Sequence, residues 1–189
     1  MLCVKQKIVI EDNVKKSRFI GIIVPCANEA EVMQHLRQIH ADYADASHIA
    51  FAYHIKTENG LVYRFHDAGE PTGTAGKPIF QHLDGKQIIN VLIAVVRYFG
   101  GIKLGAGGLT RAYGQTARLA IEAAELVPYI EHTIVDLTLD YKQVQALEYW
   151  LKKNGGEIVK QDFAAQVRIS VRLPEQHAQD LLQAFNSPY

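Results

Sequence analysis

The sequence predicts an α+β protein made of two domains that meet near Val127–Pro128. Three observations carry this. The 189 residues are 48% apolar and 21% charged, which supplies enough apolar surface for packed cores and matches ordinary globular usage. Strand-like alternation and helical spacing succeed one another, and a β-α-β-β-α order begins afresh after Pro128. The charge also reverses. Residues 1–121 hold 14 basic and 10 acidic side chains, a balance of +4, whereas residues 122–189 hold 6 and 10, a balance of −4. The expected domains are residues 1–127 and 128–189.

Taken in order, Val4–Ile10 and Arg18–Val24 are rich in β-branched residues and read as strands. Asn28 is placed to cap a helix that carries Val32, Met33, Leu36 and Ile39 on one face. Ile49, Phe51, Tyr53 and Ile55 alternate as in a strand, and Asn59-Gly60 signals a type I′ hairpin into Leu61–Phe65. Asp67–Pro78 breaks every periodicity and reads as a loop, with a short helix or turn after it. Ile88–Phe99 is apolar on both faces in its middle, which predicts a central strand covered on both sides. Gly100–Gly108 reads as a second loop and Leu109–Leu126 as a helix. In the second half, a strand around Val135–Leu139 precedes a helix that ends at Lys152-Lys153-Asn154-Gly155. Strands over Ile158–Phe163 and Gln166–Leu173 follow. Pro174 then opens a helix with Ala178, Leu181, Leu182 and Phe185 turned inward. This order is ferredoxin-like with its last strand wanting.

Several function classes are excluded or disfavoured. No apolar run approaches the ~20 residues of a membrane helix. The N-terminus lacks the apolar block of a signal peptide. Cys3 and Cys26 cannot build a disulfide framework or a four-cysteine zinc site. A reduced, cytoplasmic setting is expected, with no membrane partner, no metal and no cofactor.

Chemistry is concentrated in the first half. Gly85–Ile121 contains no Asp or Glu but holds Lys86, Arg97, Lys103, Arg111 and Arg118, a segment suited to an anion. Within it, Gly105, Gly107 and Gly108 lead into a helix, so backbone N–H groups and a positive helix end would face a ligand. Arg111 is expected in that helix's first turn, where a bound anion would offset its clash with the dipole. The pattern fits neither a Walker A loop nor G-x-G-x-x-G, and on spacing alone a tight turn packing helix on sheet explains it better than a phosphate site. In the 67–78 loop, Lys77 is a further candidate anion ligand. Asp67 and Glu70 are expected to orient the loops, and one carboxylate among Asp67, Glu70 and Asp84 is expected to pair with an arginine. The two loops are expected to lie side by side. His48, His54 and His66 suit structural roles better than catalysis.

Four segments also resemble a known family. Lys15–Gly21, Ala46–Ile55, Asp67–Ile79 and Asn90–Tyr113, with their spacing, look like the YigZ/IMPACT family. Residues 128–189 resemble the small C-terminal domain of bacterial members. The resemblance implies a ribosomal-protein-like N-terminal domain similar to domain IV of elongation factor G, and a C-terminal domain similar to domain V of that factor. It also implies translation-linked biology, since eukaryotic relatives regulate translation. One departure is Ala68, where the family commonly carries a second Asp.

Together these readings favour a non-catalytic binding protein linked to translation. It would contact RNA or the ribosome through Arg97, Lys103, Arg111, Arg118 and the glycine loop, with a protein partner in translation control also open. The alternative is a phosphate-handling enzyme acting on a nucleotide or small phosphorylated metabolite.

Overall fold

The computed structural model describes residues 1–185. The described residues divide into two compact units, Met1–Tyr129 and a second that begins at Ile130. The division falls after Tyr129 rather than at Val127–Pro128. A strand at Leu126–Pro128 pairs antiparallel with Leu2–Val4, and the Tyr129 N–H donates to the Met1 carbonyl, which ties these residues to the first unit.

In the first unit the elements are β1 (Leu2–Val4), β2 (Ile8–Val14), β3 (Ser17–Pro25), α1 (Glu29–Asp42), β4 (His48–Thr57), β5 (Gly60–His66), α2 (Gly76–Gly85), β6 (Val91–Tyr98), α3 (Gly105–Ala123) and β7 (Leu126–Pro128). The expected strand over Val4–Ile10 is thus two strands in two sheets. Asn28 caps α1, its side chain accepting from the Glu31 N–H at 2.9 Å. Val32, Leu36 and Ile39 are buried beneath α1, but Met33 is 49% exposed and not part of that core.

Five strands form an antiparallel sheet in the order β2-β3-β6-β4-β5. β3 and β4 are both antiparallel to β6, so they run parallel to each other with β6 inserted between them, a split β-α-β unit closed by α1. Central β6 feeds two cores. Val91, Ile93 and Val95 pack with α2 and α3. Leu92, Ala94 and Val96 pack with α1. The two-sided apolar run of the sequence reflects this burial on both faces.

The turns correct one reading. The β4–β5 hairpin is present, but Thr57 pairs with Gly60, so Glu58 and Asn59 are its central residues; neither has positive φ, and the turn is not type I′. The β2–β3 hairpin instead has Lys15 at φ 46° and Lys16 at φ 66°, the left-handed pair a type I′ turn requires.

In the second unit, β8 (His132–Leu139), α4 (Tyr141–Asn154), β9 (Glu157–Phe163), β10 (Val167–Pro174) and α5 (Ala178–Phe185) follow in order, with a 3-10 turn over Glu175–His177 before α5. Among the described residues the sheet has three strands, β8-β10-β9, both pairs antiparallel. That is a ferredoxin-like order without its fourth strand; residues 186–189 lie outside the described region. Leu181 is buried, whereas Leu182 is exposed rather than turned inward. No helix among the described residues is long and apolar enough to cross a membrane.

Candidate functional site

The site grows from one row of β6. Val91, Ile93 and Val95 face α3, and Arg97 comes next on the same face. A guanidinium therefore follows a core row, and it is 5% exposed. Its Nη1 donates to Glu70 Oε1 at 2.6 Å, and the Tyr113 hydroxyl of α3 donates to the same oxygen at 2.8 Å. Glu70 thus joins its loop to the sheet and to α3. Burial, then the Glu70 charge, pushes the Tyr113 hydroxyl well above the usual tyrosine range, so it remains a donor. The Arg97 guanidinium also lies over the rings of Phe19, at 5.7 Å, and Phe99, at 5.5 Å.

His48 sits across from Arg97 in the β4–β6 register. Its Nδ1 lies 2.8 Å from the Ala68 carbonyl, which can only accept, so that nitrogen donates. Nε2 is 3.8 Å from Glu70 Oε1. Ala68 holds this contact at φ 51°, a left-handed value that favours Asn or Asp over Ala.

The first loop runs from Asp67 to Ala75, because Gly76, Lys77 and Pro78 already belong to α2. Asp67 organises it. Oδ2 accepts from the Gly73 N–H at 2.8 Å, and Oδ1 accepts from Ala75 at 3.0 Å and Gly76 at 2.8 Å. A carboxylate eight residues upstream therefore caps α2, which has no side-chain cap of its own. Partial burial would raise the Asp67 pKa, but the three N–H donors outweigh it and hold the carboxyl below its ordinary value. Asp67→Ala should cost about 2 kcal/mol, read as a urea midpoint shift. Because the folded pKa is depressed, this contribution is full above about pH 4 and is lost as pH falls through the folded value. The gap between the two proteins should therefore narrow in acid. A gap that is absent at neutral pH would show that the loop is held by other bonds.

The second loop is also shorter than its sequence suggests. α3 starts at Gly105, which enters at φ 70°, a conformation open to glycine but strained for other residues. Gly107 and Gly108 lie inside the first turn, and Arg111 lies in the second turn, not the first. The dipole clash expected at Arg111 is accordingly weak. α3 has no side-chain cap and no acid in its first turn.

Two depressions flank this helix end. One, of about 350 Å³, is lined by His48, Glu70, Pro71, Arg97, Phe99 and Lys103, with Leu104–Ala106 beside them. The other, of about 210 Å³, is lined by Val14, Lys15, Gly108, Arg111 and Gln115, and Leu104 borders both. The cations read from the sequence thus separate. Lys103 is exposed at the first depression and Arg111 at the second. Arg97 is enclosed in its ion pair, a correction to its reading as a free anion ligand. Arg118 bonds Glu122 at 2.7 Å one turn along α3, away from both depressions, and Lys77 is exposed on α2. Lys15 was not singled out from the sequence; it enters through the β2–β3 turn, a contact no local pattern announces.

Comparison with known proteins agrees with this architecture. The Impact N-terminal domain matches residues 15–121, which include both loops, β6 and most of α3. The chain belongs to the IMPACT family. An IMPACT family member of Haemophilus influenzae is 34% identical over 184 residues, covering 97% of this chain and 87% of that protein. The IMPACT family member YigZ of Escherichia coli is 33% identical, covering 88% and 82%. Residues 137–187 match a domain of unknown function, DUF1949. A solved structure described as a crystal structure of a hypothetical protein superposes with a TM-score of 0.75 at 30% identity, covering 97% of this chain and 89% of that one.

Proposed function

We propose that this IMPACT-family chain is a non-catalytic binding protein linked to translation, and that its first unit holds a phosphate-bearing RNA segment, ribosomal or free, across the start of α3. The link to translation comes with the family resemblance. The RNA reading rests on one observation: the uncapped end of α3 lies between two depressions that expose Lys103 on one side and Lys15 and Arg111 on the other. A helix start without a side-chain cap, with cations on both flanks, suits consecutive phosphates. Glu70, the only carboxylate lining either depression among the described residues, is engaged by Arg97 and Tyr113.

Two or three phosphate contacts give a log–log salt slope of about −1.4 to −2.1 for a single-stranded oligonucleotide. Lys103→Glu should weaken binding about tenfold in fluorescence anisotropy. Lys152→Glu, on α4 of the second unit, makes the same charge change and should have little effect. Equal losses would reduce the interaction to net charge, and no binding at low salt would overturn it.

One observation favours the alternative, a phosphate-handling enzyme. The Ala68 carbonyl fixes the proton of His48 on Nδ1, leaving Nε2 turned toward Glu70 in the first depression, an arrangement suited to a general base. Phosphate release from a nucleotide or sugar phosphate, lost in His48→Ala, would support that reading instead.

A further inference from the structure

The two faces of the five-stranded sheet are unequally covered. On one face, α3 packs on β2, β3 and β6 while α2 packs on β4 and β5. On the other, α1 packs alone on β4 and β6. Five strands span about 19 Å between their outer axes, and a helix with its side chains is about 10–12 Å across. One helix therefore leaves sheet uncovered beside it. At the β2 edge the side chains directed away from the α3 core are Val9, Glu11 and Asn13, largely polar. The β5 edge differs.

There a groove of about 480 Å³ runs along α1. Met33, Leu36, Arg37 and His40 form one wall at the i, i+3, i+4, i+7 spacing of a helix face. The floor is two cross-strand pairs, Phe51 with His66 and Tyr53 with Arg64. The rings of Phe51 and His66 stack at 5.6 Å. The centre is thus thioether, aliphatic and aromatic, and the rim is two arginines and two histidines, with no carboxylate lining it. Neither arginine has a carboxylate partner among the described residues: Tyr53 faces Arg64, and the nearby Glu29 accepts from the Tyr53 hydroxyl at 2.5 Å.

We propose that this groove is the docking site for an amphipathic α-helix of a partner protein, with apolar residues on its buried face and Asp or Glu along its flanks. The helix would lie beside α1 over β4 and β5, where α2 already occupies the matching position on the opposite face. Charge selects the partner: an apolar floor between guanidinium groups that have no carboxylate partner among the described residues accepts carboxylate flanks and rejects lysine flanks. The site is separate from the start of α3, so it stands or falls independently of RNA binding.

The test is selection from a random 16-residue peptide library displayed on phage, using the full chain as bait. Enriched peptides should carry apolar residues at i, i+3 or i+4 and i+7, flanked by Asp or Glu. Binding of a synthetic peptide from that pool should fall at least tenfold with Met33→Glu, and at least tenfold with Arg64→Glu, both at exposed positions. Reversing the flanking acids to lysine should abolish it. Enriched peptides without acids, peptides indifferent to both substitutions, or no enrichment would each overturn the proposal. So would a short RNA that competes for the groove, or a homodimer in sedimentation that Met33→Glu dissociates.

Discussion

Glu70→Ala is expected to lower the stability of the first unit by about 3–5 kcal/mol, the range seen when one partner of a buried ion pair is removed. The carboxylate is 4% exposed in its side chain and Arg97 is 6% exposed. Removing it strands a guanidinium that cannot lose its proton, between β4 and β3 and against the ring of Phe19. The Tyr113 hydroxyl loses its acceptor as well. Glu70→Gln should cost less, since an amide oxygen still accepts from both donors, and the paired change Glu70→Gln with Arg97→Met should recover part of the loss. Urea unfolding followed by near-ultraviolet circular dichroism measures all three. A loss below about 1 kcal/mol for Glu70→Ala would mean that water enters and takes the carboxylate's place.

Gly100→Ala should rank second, at about 3 kcal/mol or more. Gly100 directly follows β6 and Phe99, and a Cβ there would stand 2.0 Å from the Lys16 carbonyl oxygen and 2.5 Å from the Ser17 nitrogen. Both are backbone atoms of the β2–β3 hairpin, so no side-chain rotation relieves the clash. The Gly100 N–H also donates to Ser17 Oγ at 3.2 Å, which draws the two segments together. A thermal melt should show a large drop. Gly101→Ala is the contrasting variant: a Cβ there meets nothing within 4 Å, and its cost comes only from φ 84°. Equal shifts from the two would assign the effect to backbone conformation and not to close approach.

Local signals reached the elements whose determinants are local. The Asn28 cap, the alternation of β4, the two-sided run of β6 and the helical spacing of α4 were all legible because each lies within a window of a few residues. What failed depends on distant partners. Helical spacing runs on to Leu126 and the charge reversal marks Val127–Pro128 as a junction, so β7 is invisible locally; only its pairing with β1 reveals it. The start of α3 was read as loop because three glycines disfavour a helix by roughly 1 kcal/mol each, and packing of Leu109, Ala112 and Tyr113 against the sheet overrides them. Arg97 was legible as a cation, but its enclosure needs a loop from residue 70 and a hydroxyl from residue 113. Phe163 is the single aromatic of β8–β10, and its stacking partner, Tyr141 at 6.2 Å, comes from α4, 22 residues upstream. The groove beside α1 was hidden for the same reason, since Met33 belongs to a helical stripe and only the width of the sheet leaves it uncovered.

The turn at Lys15–Lys16 bears on how this lineage would respond to selection. Two lysines in left-handed backbone carry a conformational penalty on the order of 1 kcal/mol each, and an Asn-Gly pair would relieve most of it. Pressure for heat endurance alone would exchange them early. The same exchange strips positive charge from the depression that Lys15 shares with Arg111. At Lys15, therefore, backbone stability and the positive charge of the proposed anion site pull in opposite directions, whereas Lys16, which does not line the depression, could be exchanged for stability alone.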